Sequence, residues 1–329
     1  MKALYFDGSP KLKEVPRPEP LPGEVLVQVS LAGICRTDLE VLKGYHQFHG
    51  IMGHEFVGQV AAPVDSPWRG RRVVGEINVG CGRCDLCRQG LSPHCRERQV
   101  LGLKGRHGTF AQYLPLPEAN LHVVPVDLPD EGAVFAEPLA AALSVLAAAP
   151  TAAAHRILVV GDGTLGLLVS WVLALSGAQV HLVGHYPEHL ALARPYGVMT
   201  FLEKDLKDRD YEIVMEASGA PGGLDLALDR VRPRGTVVLK STYAGRYGLD
   251  PAALVVPEVR LVGCRCGPFP RALRLLAQGW VDPRPLIARR FTLSQGLEAI
   301  TLAQAPGTLK VLLDIKKAGG GEEKALSGL

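Results

Sequence analysis

Residues 156–175 constrain the fold more than any other stretch. Arg156, Ile157, Leu158, Val159 and Val160 form a short apolar run of the kind buried in parallel sheets. Gly161, Asp162, Gly163, Thr164, Leu165 and Gly166 follow at once, and a helix-like stretch continues from 165 to 175. Each glycine has a steric reason. The first permits a tight turn, the second lets backbone approach a pyrophosphate, and the third lets helix pack on strand. The helix N-terminus then offers unpaired N–H groups and partial positive charge to phosphates. These six residues are therefore the candidate dinucleotide-binding turn. Strands at 179–183, 212–215, 236–239 and 259–262 alternate with helices at 188–194 and 222–230. Such alternation specifies an α/β unit with a doubly wound parallel sheet.

The slot about 20 residues past the turn decides the dinucleotide, because an Asp or Glu there accepts bonds from the ribose hydroxyls. His185 occupies that slot, and the next carboxylate, Glu188, is in the following helix. A carboxylate would repel a 2′-phosphate, whereas an imidazole can donate to one. NADP(H) is thus favoured over NAD(H).

The rest of the chain is built differently. Residues 24–29, 56–60 and 72–74 read as short strands, led in by Pro16, Pro18, Pro20 and Pro22. Residues 133–149 are Ala- and Leu-rich and helical in character. A helix at 271–278 and a strand at 310–315 close the pattern, and the Gly-rich tail around Gly319, Gly320 and Gly321 reads as frayed. Hydrophobic residues make up 47% of the 329, enough for a sizeable core. A formal charge of +3 argues against a nucleic-acid partner. No apolar run reaches the ~18 residues of a membrane span. The first eight residues lack a signal-peptide core. A cytoplasmic, reducing compartment is expected, with thiols or metal ligands rather than disulfides.

Cys81, Cys84, Cys87 and Cys95 lie within one short segment rich in Arg and Gly. Four thiolates so spaced close a tetrahedron around zinc and leave no open position, which makes a structural site. Arg83, Arg88, Arg96 and Arg98 are close enough in sequence to offset the negative charge. Cys35, His54 and Glu137 are too scattered for spacing alone to link them.

Taken in order, Gly33-Ile34-Cys35-Arg36-Thr37-Asp38, Gly53-His54-Glu55-Phe56-Val57-Gly58, Gly70-Arg71-Arg72-Val73, the four cysteines, Glu137-Pro138-Leu139 and the glycine turn resemble the zinc-containing medium-chain dehydrogenase/reductase (alcohol dehydrogenase) family. The resemblance covers roughly residues 1–315. It implies a GroES-like, β-rich catalytic domain from 1–138 and 267–329, with a Rossmann domain at 139–266. It implies Cys35, His54 and Glu137 as ligands of a catalytic zinc, with Glu55 beside the metal and able to swap in. Asp38 would orient the ligating histidine, and Thr37 would start a proton relay. The relay's usual terminal histidine is replaced by Glu40, so proton exit runs through Glu40, water, His46 or His49. Arg36 would lie near the cofactor phosphates and Ser241, with Thr242 and Tyr243, beside the nicotinamide.

The activity so implied is NAD(P)-linked hydride transfer between an alcohol or polyol and its aldehyde or ketone, in a homodimer or homotetramer. Two alternatives stay open on sequence alone: a zinc-free, quinone-oxidoreductase-like reductase and a non-catalytic nucleotide sensor on the same fold.

Overall fold

The computed structural model describes residues 1–242, 245 and 247–316. Tyr243 and the tail from 317 onward lie outside the described residues. Six strands form an all-parallel sheet: β1 Arg156–Val160, β2 Gln179–Gly184, β3 Met199–Leu202, β4 Tyr211–Glu216, β5 Val231–Leu239 and β6 Arg260–Gly263. Their spatial order is β3-β2-β1-β4-β5-β6. The order reverses at β1, which opens a crevice at the carboxyl ends of β1 and β4. Helix Thr164–Ala174 follows β1 and is apolar almost all round, as a helix buried on most sides must be. The edge strand β3 is absent from the sequence reading. It is only half-buried, so it carries a weaker apolar signal than β1, β2 and β4.

The second sheet is drawn from both ends of the chain. Its central strand, Glu24–Ile34, pairs with Glu55–Ala62 and with Lys310–Asp314. Tyr113–Pro117 pairs with its first half. The register sets Gly33 opposite Glu55 and Ile34 opposite Val311. Cys35, Glu55 and Lys310 therefore emerge at one end of the sheet.

Helix Ala136–Leu143, which carries Glu137, joins the two sheets through one core. Leu31, Val57 and Val74 come from the mixed sheet, Leu139 and Leu143 from this helix, and Leu168 and Trp171 from helix Thr164–Ala174. The surrounding stretch Asp130–Ala148 has the length and apolarity of a membrane span, yet most of it is buried inside the protein. It is broken into the helices Asp130–Ala133, Ala136–Leu143 and Val145–Ala148. Apolar residues here serve the core.

Candidate active site

Strand Glu24–Ile34 ends at Cys35, which caps helix Arg36–Leu42. Asp38 makes this turn and the site together. Its Oδ2 accepts the Cys35 backbone N–H at 2.8 Å, and its Oδ1 lies 3.0 Å from His54 Nδ1. Asp38 thereby engages Nδ1 and leaves Nε2 as the ring nitrogen for a metal, the orientation that a metal-ligating histidine requires. Burial opposes protonation of His54, but Asp38 and Cys35 hold its pKa well above the ordinary value. A metal cation in place of that proton would meet the same negative surroundings.

Ligand atoms of Cys35, His54 and Glu55 lie within 4.8 Å of one another. Glu55 packs against the backbone of Gly33, where an added methyl group would sit 2.2 Å from Glu55 Oε2. Lys310 Nζ reaches both Glu55 oxygens, at 2.7 and 2.6 Å, and also donates to the Ile34 carbonyl at 3.2 Å. This pair is almost wholly buried, Lys310 at 3% and Glu55 at 1% exposure. Sequence reasoning missed Lys310, whose only signal is a cation at the head of an apolar strand. Glu137 stands outside that three-residue set among the described residues. Burial holds its carboxyl above the usual range; His54 opposes this and Glu55 adds to it.

The neighbouring expected residues are placed unevenly. The Thr37 hydroxyl lies 3.7 Å from Cys35 Sγ. Glu40 is buried and held by Lys43 at 2.8 Å, with Arg36 Nε at 3.7 Å. Arg36 itself is exposed, as are His46 and His49.

Cys81, Cys84, Cys87 and Cys95 also bring their sulfurs within 4.8 Å of one another, and all are free thiols. Backbone N–H groups of Arg83 and Cys84 pull the Cys81 thiol down to about 6, whereas burial and the neighbouring thiols push Cys87 up to about 12. Four soft donors already gathered, one of them biased to thiolate, fit a closed zinc site. The expected arginine counter-charges are partly engaged elsewhere: Arg83 pairs with Glu97 and Arg96 with Asp85.

The glycine turn has the shape that a pyrophosphate needs. Gly161 has φ +109°, and a methyl there would meet backbone of Ser218 at 2.7 Å. A methyl on Gly166 would lie 1.9 Å from the Gly161 carbonyl, whereas Gly163 faces open space. Asp162 turns inward: its Oδ2 accepts the backbone N–H groups of His185 and Tyr186, at 2.9 and 2.7 Å. It ties the ends of β1 and β2 together. His185 is exposed, and its Nε2 lies 3.4 Å from Glu203, a carboxylate absent from the sequence reading. Ser241 Oγ accepts the Gly219 N–H at 2.8 Å, which binds the turn after β4 to the end of β5.

Residues 21–126 match the alcohol dehydrogenase GroES-like domain. An L-threonine 3-dehydrogenase of Saccharopolyspora erythraea is 30% identical, with 92% of this chain and 95% of that protein aligned. Galactitol-1-phosphate dehydrogenase of Escherichia coli superposes with a TM-score of 0.86 at 26% identity, covering 96% of this chain and all of that one. A zinc-binding dehydrogenase of Sinorhizobium meliloti 1021 bound to NADP gives 0.84 at 28%, covering 95% and 99%. An alcohol dehydrogenase of E. coli CFT073 complexed with NADH gives 0.87 at 26%, covering 96% and 99%. Two clusters of metal-type donors, a glycine turn on a β3-β2-β1-β4-β5-β6 sheet and these full-length matches lead to one conclusion: the chain belongs to the zinc-containing medium-chain dehydrogenase/reductase family and is an NAD(P)-dependent oxidoreductase of the alcohol dehydrogenase type.

Proposed function

We propose that this protein oxidises a polyol-type secondary or primary alcohol, and reduces the matching carbonyl, at a zinc ion held by Cys35, His54 and a glutamate. The observation that carries this reading is the convergence within 4.8 Å of three unlike donors, Cys35 at the end of one strand and His54 and Glu55 at the start of its neighbour, with His54 aimed by Asp38. Glu55 fills the third place in the geometry described, and Glu137 is the carboxylate that can replace it when Lys310 keeps hold of Glu55. When bound, zinc supplies Lewis acidity and the nicotinamide supplies hydride exchange. The chain's own part is positional. Asp38 fixes the His54 ring, Thr37 stands beside Cys35 to pass a proton, and Glu40 receives it next to Lys43 and Arg36. In this reading residues 1–138 and 267–329 form the catalytic domain, and 139–266 the cofactor domain.

NADP(H) is the cofactor assigned, with His185 as donor to the 2′-phosphate and Arg36 and the glycine turn facing the other phosphates. Glu203 works against it. Glu203→Gln should raise kcat/KM for NADP relative to NAD about tenfold, the worth of one charge-assisted contact. A wild-type protein that strongly prefers NAD overturns the assignment.

Metal analysis of the purified protein is the direct test of the whole reading. About two zinc per chain are expected from one closed and one open site. A single zinc, held by the four cysteines, would leave the triad without its metal. The seven free thiols fit a cytoplasmic setting. Val255 and Val256, 72% and 81% exposed just ahead of edge strand β6, suit a homo-oligomer.

A further inference from the structure

Lys240 is a buried cation that the chemistry above does not use. It directly follows β5 and is only 7% exposed. Its backbone N–H donates to the Glu216 carbonyl at the end of β4, at 2.9 Å. Its ammonium donates to the Ala141 carbonyl at 2.8 Å, the Arg265 carbonyl at 2.9 Å and Ser144 Oγ at 3.2 Å. Three acceptors use every N–H the group has. Cys264 Sγ stands further off, at 3.9 Å. All three oxygens are neutral, in contrast to the carboxylate that meets Lys310. Taking an ammonium out of water for neutral partners is costly, and an apolar side chain of like size would avoid that cost. The reason for Lys240 therefore lies in what it ties together.

One end of the tie is the helix Ala136–Leu143. Ala141 lies one turn past Glu137 on that helix. The last turn has no basic residue of its own, although its carbonyls favour a cation. Lys240 supplies one from another element. The other end is the segment that leaves β6. Arg265 is in it, and its neighbour Cys264 meets Ser144 Oγ at 2.8 Å. Ser144 Oγ also donates to the Ala141 carbonyl at 2.7 Å. A methyl group on Gly267 would lie 1.9 Å from the Ala140 carbonyl, so residues 264–267 run directly against the helix. In the domain division proposed above, the chain passes between domains at 138/139 and again at 266/267. The Lys240 ammonium sits beside both passages, at the carboxyl edge of the parallel sheet.

We propose that Lys240 is a positioning residue: its ammonium staples the two passages together and fixes the helix that carries Glu137 against the carboxyl edge of β4, β5 and β6, which sets the spacing between the metal site and the cofactor crevice. Hydride transfer is sensitive to such spacing, since a misplacement of about 1 Å can cost about a hundredfold in rate. The inference rests on the dehydrogenase reading and domain division above, so its test includes a measurement that needs no turnover.

That measurement is the emission of bound NADPH, which moves to shorter wavelength when the reduced ring leaves water. Lys240→Met should lose most of the wild-type shift while the NADPH dissociation constant stays within about threefold. The second readout is NADPH-dependent reduction of hydroxyacetone by the zinc-loaded protein. In Lys240→Met kcat should fall about tenfold. The primary deuterium isotope effect, from NADPH labelled at the transferred position, should rise because spacing then limits the hydride step. A smaller folded fraction lowers kcat without moving the isotope effect or the emission maximum. Lys240→Gln, uncharged but still a donor, should lie between wild type and Lys240→Met. Wild-type emission and isotope effect in Lys240→Met overturn the proposal. So does failure of both variants to fold, which would make Lys240 a residue of stability alone. Hydroxyacetone left unreduced by the wild type counts against the polyol reading, and the emission shift then decides on Lys240.

Discussion

Replacing His54 with alanine, or Cys35 with serine, is expected to lower kcat by about a thousandfold or more, the worth of several kcal/mol of Lewis-acid stabilisation. The cofactor dissociation constant should stay within about threefold, because the glycine turn and the ends of β1, β2, β4 and β5 are built independently of these two side chains. Steady-state kinetics beside NADPH fluorescence titration read the two quantities separately. Asp38→Asn belongs to the same series. It leaves the ligands in place but loosens both the Cys35 turn and the His54 ring, and should reduce activity or zinc affinity by about 10–100-fold. Near-normal turnover in the His54 or Cys35 variant would remove the metal from the mechanism.

The largest stability effect is expected at Lys310. Its ammonium and the Glu55 carboxylate meet at 2.6 and 2.7 Å with almost no solvent contact. Lys310→Met strips the partner and leaves a carboxylate buried next to Cys35. Breaking such a pair on one side costs about 3–5 kcal/mol, because the remaining charge is uncompensated. Urea unfolding of the zinc-free protein should show that loss. Adding Glu55→Gln in the same chain should restore most of it, since the stranded charge is then gone. A single variant that unfolds at the wild-type urea concentration would mean that water reaches this pair. The zinc-free state is the right one for the comparison, because metal bound to Cys35 and His54 would itself stabilise the fold.

What could be read from the sequence, and what could not, divides along chain distance. Gly161, Gly163 and Gly166 are readable because the turn makes local steric demands, and the structure shows the matching close approaches at Gly161 and Gly166. Cys81, Cys84, Cys87 and Cys95 are readable because one short loop carries all four. The inner parallel-sheet strands β1, β2 and β4 are readable as apolar runs; β3 is not, because an edge strand needs little apolar character. Lys310 shows locally only as a cation heading an apolar strand, with nothing to link it to the carboxylate it holds 255 residues away. Only the antiparallel register between Ile34 and Val311 brings it there. The inward turn of Asp162 and the approach of Glu203 to His185 likewise depend on how neighbouring βα turns stack, which no pattern of residue types encodes.

The closing strand of the mixed sheet has a consequence for how the protein comes into being. Ribosomes deliver Cys35, His54 and Glu55 well before the partner that neutralises Glu55, which follows 255 residues later. Until Lys310 has left the exit tunnel and residues 311–314 beside it have zipped against 31–34, the nascent chain holds an unbalanced acid beside a thiol and an imidazole. The triad's electrostatic surroundings thus change when that strand docks, whereas the four-cysteine loop has all its thiols on the chain by residue 95 and depends on no later segment for its donors.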